Sequence, residues 1–221
     1  MSLQEKLDAF RADFLANRAP AGVPEIMARA TQALIDSGQA DRALKAGDRA
    51  PAFNLPDPDG RPVVAGDLLA KGPLVVTFYR GVWCPYCNID LKEIEATAPA
   101  IRALGAELVA ISPQTAVNSR KAQRSNALSF PILSDHGNAV ANAFGLRFRL
   151  PDELIAVYKG FGNDLAVTNG EPSWTLPMPA RYVIGRDGVI AYAEVNPDYT
   201  RRPEPGDLLP VLERLKQSSA A

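Results

Sequence analysis

The chain is poor in cysteine and histidine, the usual ligands of a structural zinc site. Its 221 residues include two cysteines, Cys84 and Cys87, and a single histidine, His136. A structural zinc site normally takes four ligands, and the chain has no second C-x-x-C pair to complete one. The sequence therefore predicts no metal site and leaves the two thiols as the chemistry to be explained.

Charge of one sign is not in excess either. Lysine and arginine number 24, aspartate and glutamate number 25, and the net charge is −1. Nucleic acids and anionic membranes are bound by strongly basic faces, so neither is predicted as a partner. The sequence also lacks the G-x-G-x-x-G fingerprint of dinucleotide binding, and no cofactor is predicted.

Long apolar runs are absent as well. None approaches the roughly 20 residues that a membrane-spanning helix needs. The first residues, MSLQEKLDAF, carry charges where a signal peptide would be apolar. We therefore expect a cytoplasmic protein. In that reducing compartment a lone C-x-x-C pair is typically redox-active or metal-bound rather than a permanent crosslink.

Residues 1–45 predict a helical N-terminal extension of two helices. Each helix has one apolar face, which we expect to pack on the rest of the chain or, less often, on a partner subunit. These faces are formed by Leu3, Leu7, Phe10 and Phe14, and by Ile26, Ala30 and Leu34.

Residues 46–221 predict one α/β domain, because strands and helices alternate along them. The apolar runs PLVVTFY, AELVAIS and FPILSD indicate buried strands, and ARYVI and VIAYAEV flank a tight turn. We expect a helix after the cysteines that Pro99 bends or divides, a helix capped by Thr115 and a closing helix near the C-terminus. The stretch from 151 to 178 predicts a helix near Asp152–Lys159 followed by loop.

The two cysteines lie at the junction of a buried strand and a helix. Pro85 suits the first position of that helix, which places Cys84 at the helix N-terminus. Unpaired amides, the helix dipole and Arg80 would stabilise a thiolate there. Cys87 lies one turn further on, so we predict Cys84 as the attacking sulfur and Cys87 as the resolving one.

The same residues allow other interpretations. The pair could be half of a zinc site or a pair of inert core residues, but a C-P-x-C at a helix start disfavours both. A histidine base is not required for a thiolate at a helix N-terminus, so His136 is left out of the predicted site.

Five segments resemble the alkyl hydroperoxide reductase/thiol-specific antioxidant (AhpC/TSA) family, the peroxiredoxin-like proteins of the thioredoxin superfamily. They are GDRAPAFNLPDPDG, VVTFYRGVWCPYC, GAELVAISPQT, FPILSD and PMPARYVIGRDGVI. The resemblance runs from about Gly47 to the C-terminus. It implies a thioredoxin-like fold with a central mixed β-sheet flanked by helices, and a thiol peroxidase activity.

The resemblance also suggests residues for the site. Arg181, near the final hairpin, is the positional candidate for the arginine that polarises the peroxide, and Arg80 is a second candidate. Pro179 lies where thioredoxin-like folds place a cis-proline, with a trans-proline at a strand start as the alternative. Trp83 and Tyr86 flank Cys84 and either form a substrate rim or pack in the core.

Two positions depart from the family pattern. Gly81 stands where the family usually has a threonine or serine, and Thr77 where it usually has proline. The segment Asp198–Arg202 is expected to be a solvated loop with internal ion pairs, with folding toward the active site or a subunit contact as the alternative.

Three functions follow. The first is a peroxidase that reduces hydrogen peroxide or organic hydroperoxides through a Cys84 sulfenic acid, which Cys87 resolves. The second is a thiol–disulfide oxidoreductase that uses the same pair, and the third is a redox-responsive binding protein. The expected partners are a peroxide and an external dithiol reductant (thioredoxin, glutaredoxin or glutathione). A homodimer is a further expectation.

Overall fold

The computed structural model describes residues 1–218. Its strands, in chain order, are β1 (Asn54–Pro56), β2 (Pro62–Val64), β3 (Leu74–Phe78), β4 (Glu107–Ser112), β5 (Ile132–Ser134), β6 (Arg147–Arg149), β7 (Thr175–Pro177), β8 (Ala180–Ile184) and β9 (Ile190–Val195). Its α-helices are α1 (Leu3–Asn17), α2 (Val23–Asp36), α3 (Ala65–Lys71), α4 (Pro85–Ala103), α5 (Ala116–Ser125), α6 (Ala139–Ala143), α7 (Asp152–Gly160), α8 (Leu165–Asn169) and α9 (Leu208–Ser218). No helix within these residues is long and apolar enough to cross a membrane.

A mixed five-stranded sheet forms the centre of the molecule, in the order β5-β4-β3-β8-β9. The central strand β3 runs parallel to β4 and antiparallel to β8. All five of its residues are buried, as a continuous apolar run predicts. Alternate side chains point to opposite faces, so Val75 joins the core under α4 and α9 while Val76 joins the core on the other face.

The helix after the cysteines is continuous, so the expectation that Pro99 divides it is wrong. α4 runs from Pro85 to Ala103 with Pro99 inside it. Ile94 and Ala98 lie before the proline and Ile101 after it, and all three are buried on one face. This packing holds both parts of α4 against the sheet, while the exposed Pro99 lies on the solvent side, where a lost hydrogen bond costs least.

Both predicted N-terminal helices form and pack on the body of the chain. In α1, Leu3 and Leu7 are buried in the core that includes α4. A capping box between Ser2 and Glu5 starts the helix. In contrast, α2 packs against α7 and contains no buried residue. The boundary between an extension at 1–45 and a domain at 46–221 stays a prediction.

The stretch from 151 to 178 contains more structure than the sequence predicted. The helix expected near Asp152–Lys159 is present as α7, but α8 and β7 follow it, and β7 pairs with β6. Three-residue strands and a five-residue helix are too short to show a periodic pattern of apolar residues, and sequence analysis therefore assigned them to loop.

Candidate active site

The two cysteines lie where β3 passes into α4. Cys84 is the N-cap residue of the helix and Pro85 occupies its first turn, as the sequence predicts. The Sγ atoms of Cys84 and Cys87 are 2.8 Å apart, and both residues are free thiols. Cys84 is 1% exposed and Cys87 is fully buried. The pair is therefore close enough to share a proton and shielded from bulk water.

Gly81 shapes the turn that leads to Cys84. Its φ of +143° lies in a region that side chains rarely adopt, and a Cβ there would lie 2.5 Å from Nε1 of Trp83. Because the indole occupies that space, a threonine or serine does not fit. The departure from the family pattern at Gly81 is thus coupled to the presence of Trp83.

Arg80 is buried beside the thiols inside an aromatic cage. Its guanidinium lies 4.8 Å from the ring centroid of Trp83, 4.2 Å from that of Tyr199 and 5.6 Å from that of Tyr158. It also donates a hydrogen bond to the Tyr158 hydroxyl. Burial opposes its charge, but Tyr158 and the two cysteines raise the pKa of Arg80 above its usual value. Arg80 therefore stays cationic and places a fixed positive charge at the sulfurs.

A second cation, Arg202, approaches the pair from the other side. One of its terminal nitrogens lies 3.5 Å from the Cys87 Sγ, and its Nε lies 3.3 Å from an Asp90 carboxylate oxygen. Thr200 and Arg202 are both buried. The expectation of a solvated loop at Asp198–Arg202 is therefore wrong. Its alternative holds, because Arg202 reaches the start of α4 at the active site.

Asp90 carries two buried ion pairs. Besides Arg202, it accepts a hydrogen bond of 2.5 Å from Arg181, whose other terminal nitrogen donates to the Pro203 carbonyl. Arg181 makes no hydrogen bond to either sulfur in the described structure, so its charge is directed at Asp90. The two predicted arginines therefore lie in different places. Arg181 pairs with Asp90, whereas Arg80 lies beside the thiols.

The charges around the pair favour ionisation at Cys87. Burial opposes it, but the hydrogen bond with Cys84 and the positive charges of Arg202 and Arg80 lower the pKa of Cys87 to about 6. Burial and the neighbouring Cys87 raise the pKa of Cys84 well above its usual value. The sequence predicts the thiolate at Cys84. In the described geometry the two thiols titrate as a pair, and the contact with Arg202 favours Cys87 as the place of their first negative charge.

The remaining predicted site residues line two neighbouring cavities. Trp83 and Tyr86 line a cavity of about 540 Å³ that reaches Cys84, although Tyr86 is itself buried. Pro179 directly precedes β8 and lines a neighbouring cavity together with Arg80. No cis peptide bond occurs in residues 1–218, so the cis expectation for Pro179 is wrong and its trans alternative holds.

No group of three or more histidine, cysteine or acidic residues within the described part of the chain could hold a metal ion. His136 lies exposed in a short 3-10 turn, His136–Asn138.

Sequence reasoning missed several residues of the site, and one of them left a signal. Asp90 lies on the face of α4 that Cys87, Leu91 and Ile94 share, so a helical pattern already places a carboxylate among buried residues. A buried carboxylate needs a cationic partner, so this pattern indicates that an arginine or lysine from elsewhere in the chain contacts Asp90. Tyr158 left no such signal, because long-range packing alone brings it to Arg80.

Removing the carboxylate of Asp90 should destabilise the fold strongly. Asp90→Asn leaves Arg181 and Arg202 without their buried counterion, and breaking such a pair costs about 3–5 kcal/mol. The measurement is the free energy of unfolding from urea titration of the reduced protein, compared with the wild type.

Glu153→Gln is the matched control for this prediction. It removes an exposed carboxylate that pairs with Arg29 at 2.9 Å, where about 0–1 kcal/mol is expected. Equal losses in the two variants would show that the Asp90 pairs do not contribute more than a surface pair.

Comparison with known proteins agrees with this geometry. The model of the AhpC/TSA family matches residues 46–193. The chloroplastic peroxiredoxin Q of Oryza sativa is 29% identical over 169 residues, which is 76% of this chain and 67% of the relative. The chloroplastic peroxiredoxin Q of Sedum lineare is 30% identical over 144 residues, covering 65% of each chain.

A solved structure extends the comparison to the fold. The crystal structure of peroxidoxin BcpB from Mycobacterium tuberculosis superimposes with a TM-score of 0.61 at 23% identity, covering 77% of this chain and 97% of that one. The thioredoxin-like arrangement predicted from the sequence is therefore confirmed. The chain belongs to the AhpC/TSA family and is a peroxiredoxin-like thiol peroxidase.

Proposed function

We propose that this thiol peroxidase reduces hydroperoxides at Cys84 and resolves the product through Cys87 as a C-x-x-C disulfide. The observation that carries the proposal is the asymmetry of the pair. Cys84 lines the cavity of about 540 Å³, whereas Cys87 is not among the lining residues and contacts Arg202. A peroxide entering the cavity therefore meets Cys84 first.

The first step moves a proton between the two sulfurs, which lie 2.8 Å apart. Because the pKa of Cys87 is lowered and that of Cys84 is raised, Cys87 starts as the thiolate and Cys84 as the thiol. When Cys87 accepts the proton, the negative charge moves to Cys84, where the first-turn amides of α4 and Arg80 stabilise it. Cys87 acts here as a general base held next to the nucleophile.

The second step breaks the O–O bond. The Cys84 thiolate attacks the terminal oxygen of the hydroperoxide, which forms a Cys84 sulfenic acid and releases an alkoxide. The alkoxide takes the proton from Cys87 and leaves as the alcohol, or as water when hydrogen peroxide is the substrate. Arg80 lies beside the sulfurs and stabilises the negative charge that develops on the departing oxygen.

The third step closes the disulfide. The Cys87 thiolate, regenerated by the proton transfer, attacks the Cys84 sulfur and displaces hydroxide. An external dithiol then reduces the disulfide to the two thiols. We propose thioredoxin, glutaredoxin or glutathione as the reductant class. The homodimer and the cytoplasmic location stay predictions from the sequence.

The pH dependence of peroxide consumption tests this proposal. Because the pKa of Cys87 is lowered to about 6, the reactive pair gains its charge as the pH rises through about 6. The second-order rate constant with hydrogen peroxide should rise about tenfold per pH unit below that value and level off above it. Stopped-flow measurement between acid and neutral pH gives the profile.

Arg202→Gln provides the control, because it removes the cation in contact with Cys87. The pH midpoint of the peroxide rate of this variant should move upward by at least about one pH unit. A wild-type midpoint close to that of an ordinary free thiol would contradict the proposal.

Thiol–disulfide exchange is the second candidate, and the C-P-Y-C pair in direct contact at a helix start favours it. The same stopped-flow series with a model disulfide separates the two. Fast reduction of the disulfide together with a peroxide rate no higher than that of a free thiol would favour exchange.

A further inference from the structure

We propose that α1 and α2 form a substrate groove for elongated, apolar hydroperoxides that carry an anionic head, such as hydroperoxides of fatty acids. This inference rests on the peroxidase function proposed above and names the substrate class of that site. Both helices precede the segment 46–193 that the family model matches. The groove is therefore lined both by helices outside the matched segment and by residues within it.

The groove is large and reaches the reactive sulfur. Its volume of about 540 Å³ lies within the roughly 300–1,000 Å³ usual for small-molecule sites. Hydrogen peroxide alone would need only a small part of that space. Phe10 and Phe14 of α1 and Met27 of α2 line its walls, and Cys84 lies at its inner end beside Trp83.

Exposed apolar side chains concentrate around this groove. Six large hydrophobic residues of the described chain are exposed, and three of them, Leu15, Ile35 and Phe161, line the groove. In addition, α2 contains no buried residue although Met27 and Ile35 lie on its groove side. Leaving this much apolar surface in water is unfavourable, and an apolar ligand would cover it.

Aromatic rings continue the apolar path along the groove. Phe10 contacts Tyr86 at a centroid distance of 5.1 Å, and Tyr86 contacts Tyr199 at 5.4 Å. Towards the outside, Phe14 and Phe161 lie 6.3 Å apart. An extended acyl chain could therefore contact rings from the rim to the sulfur.

The charges on the groove favour an anionic head. Arg11 and Arg18 of α1 are among the lining residues, and Arg11 has no ion-pair partner in residues 1–218. Arg18 already pairs with Asp13 at 2.5 Å and lies over the Phe10 ring. The only carboxylate among the lining residues, Asp198, accepts hydrogen bonds from the Thr200 amide and hydroxyl. Arg11 is therefore the free charge that would meet a carboxylate.

The test compares substrates that differ in length and charge. We measure kcat/KM for linoleic acid hydroperoxide, its methyl ester, tert-butyl hydroperoxide and hydrogen peroxide. In the double variant Leu15→Glu/Ile35→Glu, the ratio of kcat/KM for linoleic acid hydroperoxide to that for hydrogen peroxide should fall at least about tenfold. Arg11→Gln should raise KM for the acid and leave KM for the methyl ester near the wild-type value.

The double variant Val117→Glu/Val167→Glu is the matched control, since it adds the same charges at exposed apolar positions that do not line the groove. It should leave the ratio unchanged. An equal ratio in the groove variant and the wild type would overturn the proposal. So would a wild-type dimer, seen by light scattering, that dissociates in the groove variant, because a second copy of the chain would then occupy the groove.

Calorimetric binding of linoleic acid separates failure of the groove from failure of the peroxidase. Linoleic acid cannot react, so its binding does not depend on turnover. Binding that Leu15→Glu/Ile35→Glu abolishes would support the groove even if no peroxide were consumed. Absence of binding to the wild type, together with turnover of hydrogen peroxide, would overturn the groove and leave the peroxidase function intact.

Discussion

Replacing Cys84 by serine should abolish peroxide consumption, with a fall in rate of at least about a thousandfold. Serine keeps the size of the side chain but has no thiolate to attack the O–O bond. Cys87 remains in this variant, yet it lies against Arg202 and does not line the cavity. The measurement is single-turnover peroxide consumption by the reduced protein under stopped flow.

Cys87→Ser should behave differently and is the informative partner of this variant. It should consume about one equivalent of peroxide and accumulate a Cys84 sulfenic acid, which dimedone labels for mass spectrometry. The single turnover should be slower than in the wild type at neutral pH, because the base that accepts the Cys84 proton is gone. Its pH midpoint should lie higher, since burial raises the pKa of Cys84.

These two variants test whether Cys87 acts as a base in the first step as well as resolving the sulfenic acid. If Cys87 only resolves the sulfenic acid, the first turnover of Cys87→Ser should proceed at the wild-type rate. If Cys87 also accepts the proton, the first turnover slows and only the wild type shows the midpoint of about 6. Peroxide consumption by Cys84→Ser combined with an inactive Cys87→Ser would reverse the assigned roles and contradict the proposed mechanism.

Local patterns predicted the framework of this site. The apolar run of β3, the proline after Cys84 and the apolar spacing of α4 all lie within a short stretch of chain, and each has a direct physical reading. Strand, turn and helix therefore appear where the sequence predicts them, and Cys84 lies at the N-cap.

Long-range contacts decided the part that the sequence could not predict. Arg202 lies 115 positions from Cys87 along the chain, in a segment rich in proline and charge that is typical of solvated loops. Tyr158 belongs to α7, and its contact with Arg80 depends on how that helix packs. Family position suggested Arg181 for the site, but Asp90 pairs with it instead. Which arginine faces the sulfurs is thus a property of the packed structure.

Arg80→Gln should lower the rate constant of the peroxide step by about a hundredfold. This loss should be far larger than that of Arg181→Gln. Arg80 is caged by Trp83, Tyr158 and Tyr199 and acts on both sulfurs, so its charge is available to the thiolate and to the departing oxygen. Rate constants for a single turnover with hydrogen peroxide give the comparison.

Arg181→Gln should act mainly on stability. Its guanidinium pairs with Asp90, and the Arg202 pair with Asp90 remains when it is removed. We expect a lower free energy of unfolding and a peroxide rate within about tenfold of the wild type, which corresponds to about 1.4 kcal/mol in the barrier. Urea titration and stopped flow on the same preparation separate the two effects.

Arg80→Lys is the matched variant that separates charge from shape. Lysine keeps the positive charge but loses the planar group that stacks within the aromatic cage and donates to Tyr158. Its rate should lie between those of the wild type and Arg80→Gln. If Arg181→Gln loses more rate than Arg80→Gln at equal folded fraction, the cation that assists the reaction is Arg181. The position of Arg181 against Asp90 would then have to change when peroxide binds, because in the described structure no hydrogen bond joins it to either sulfur.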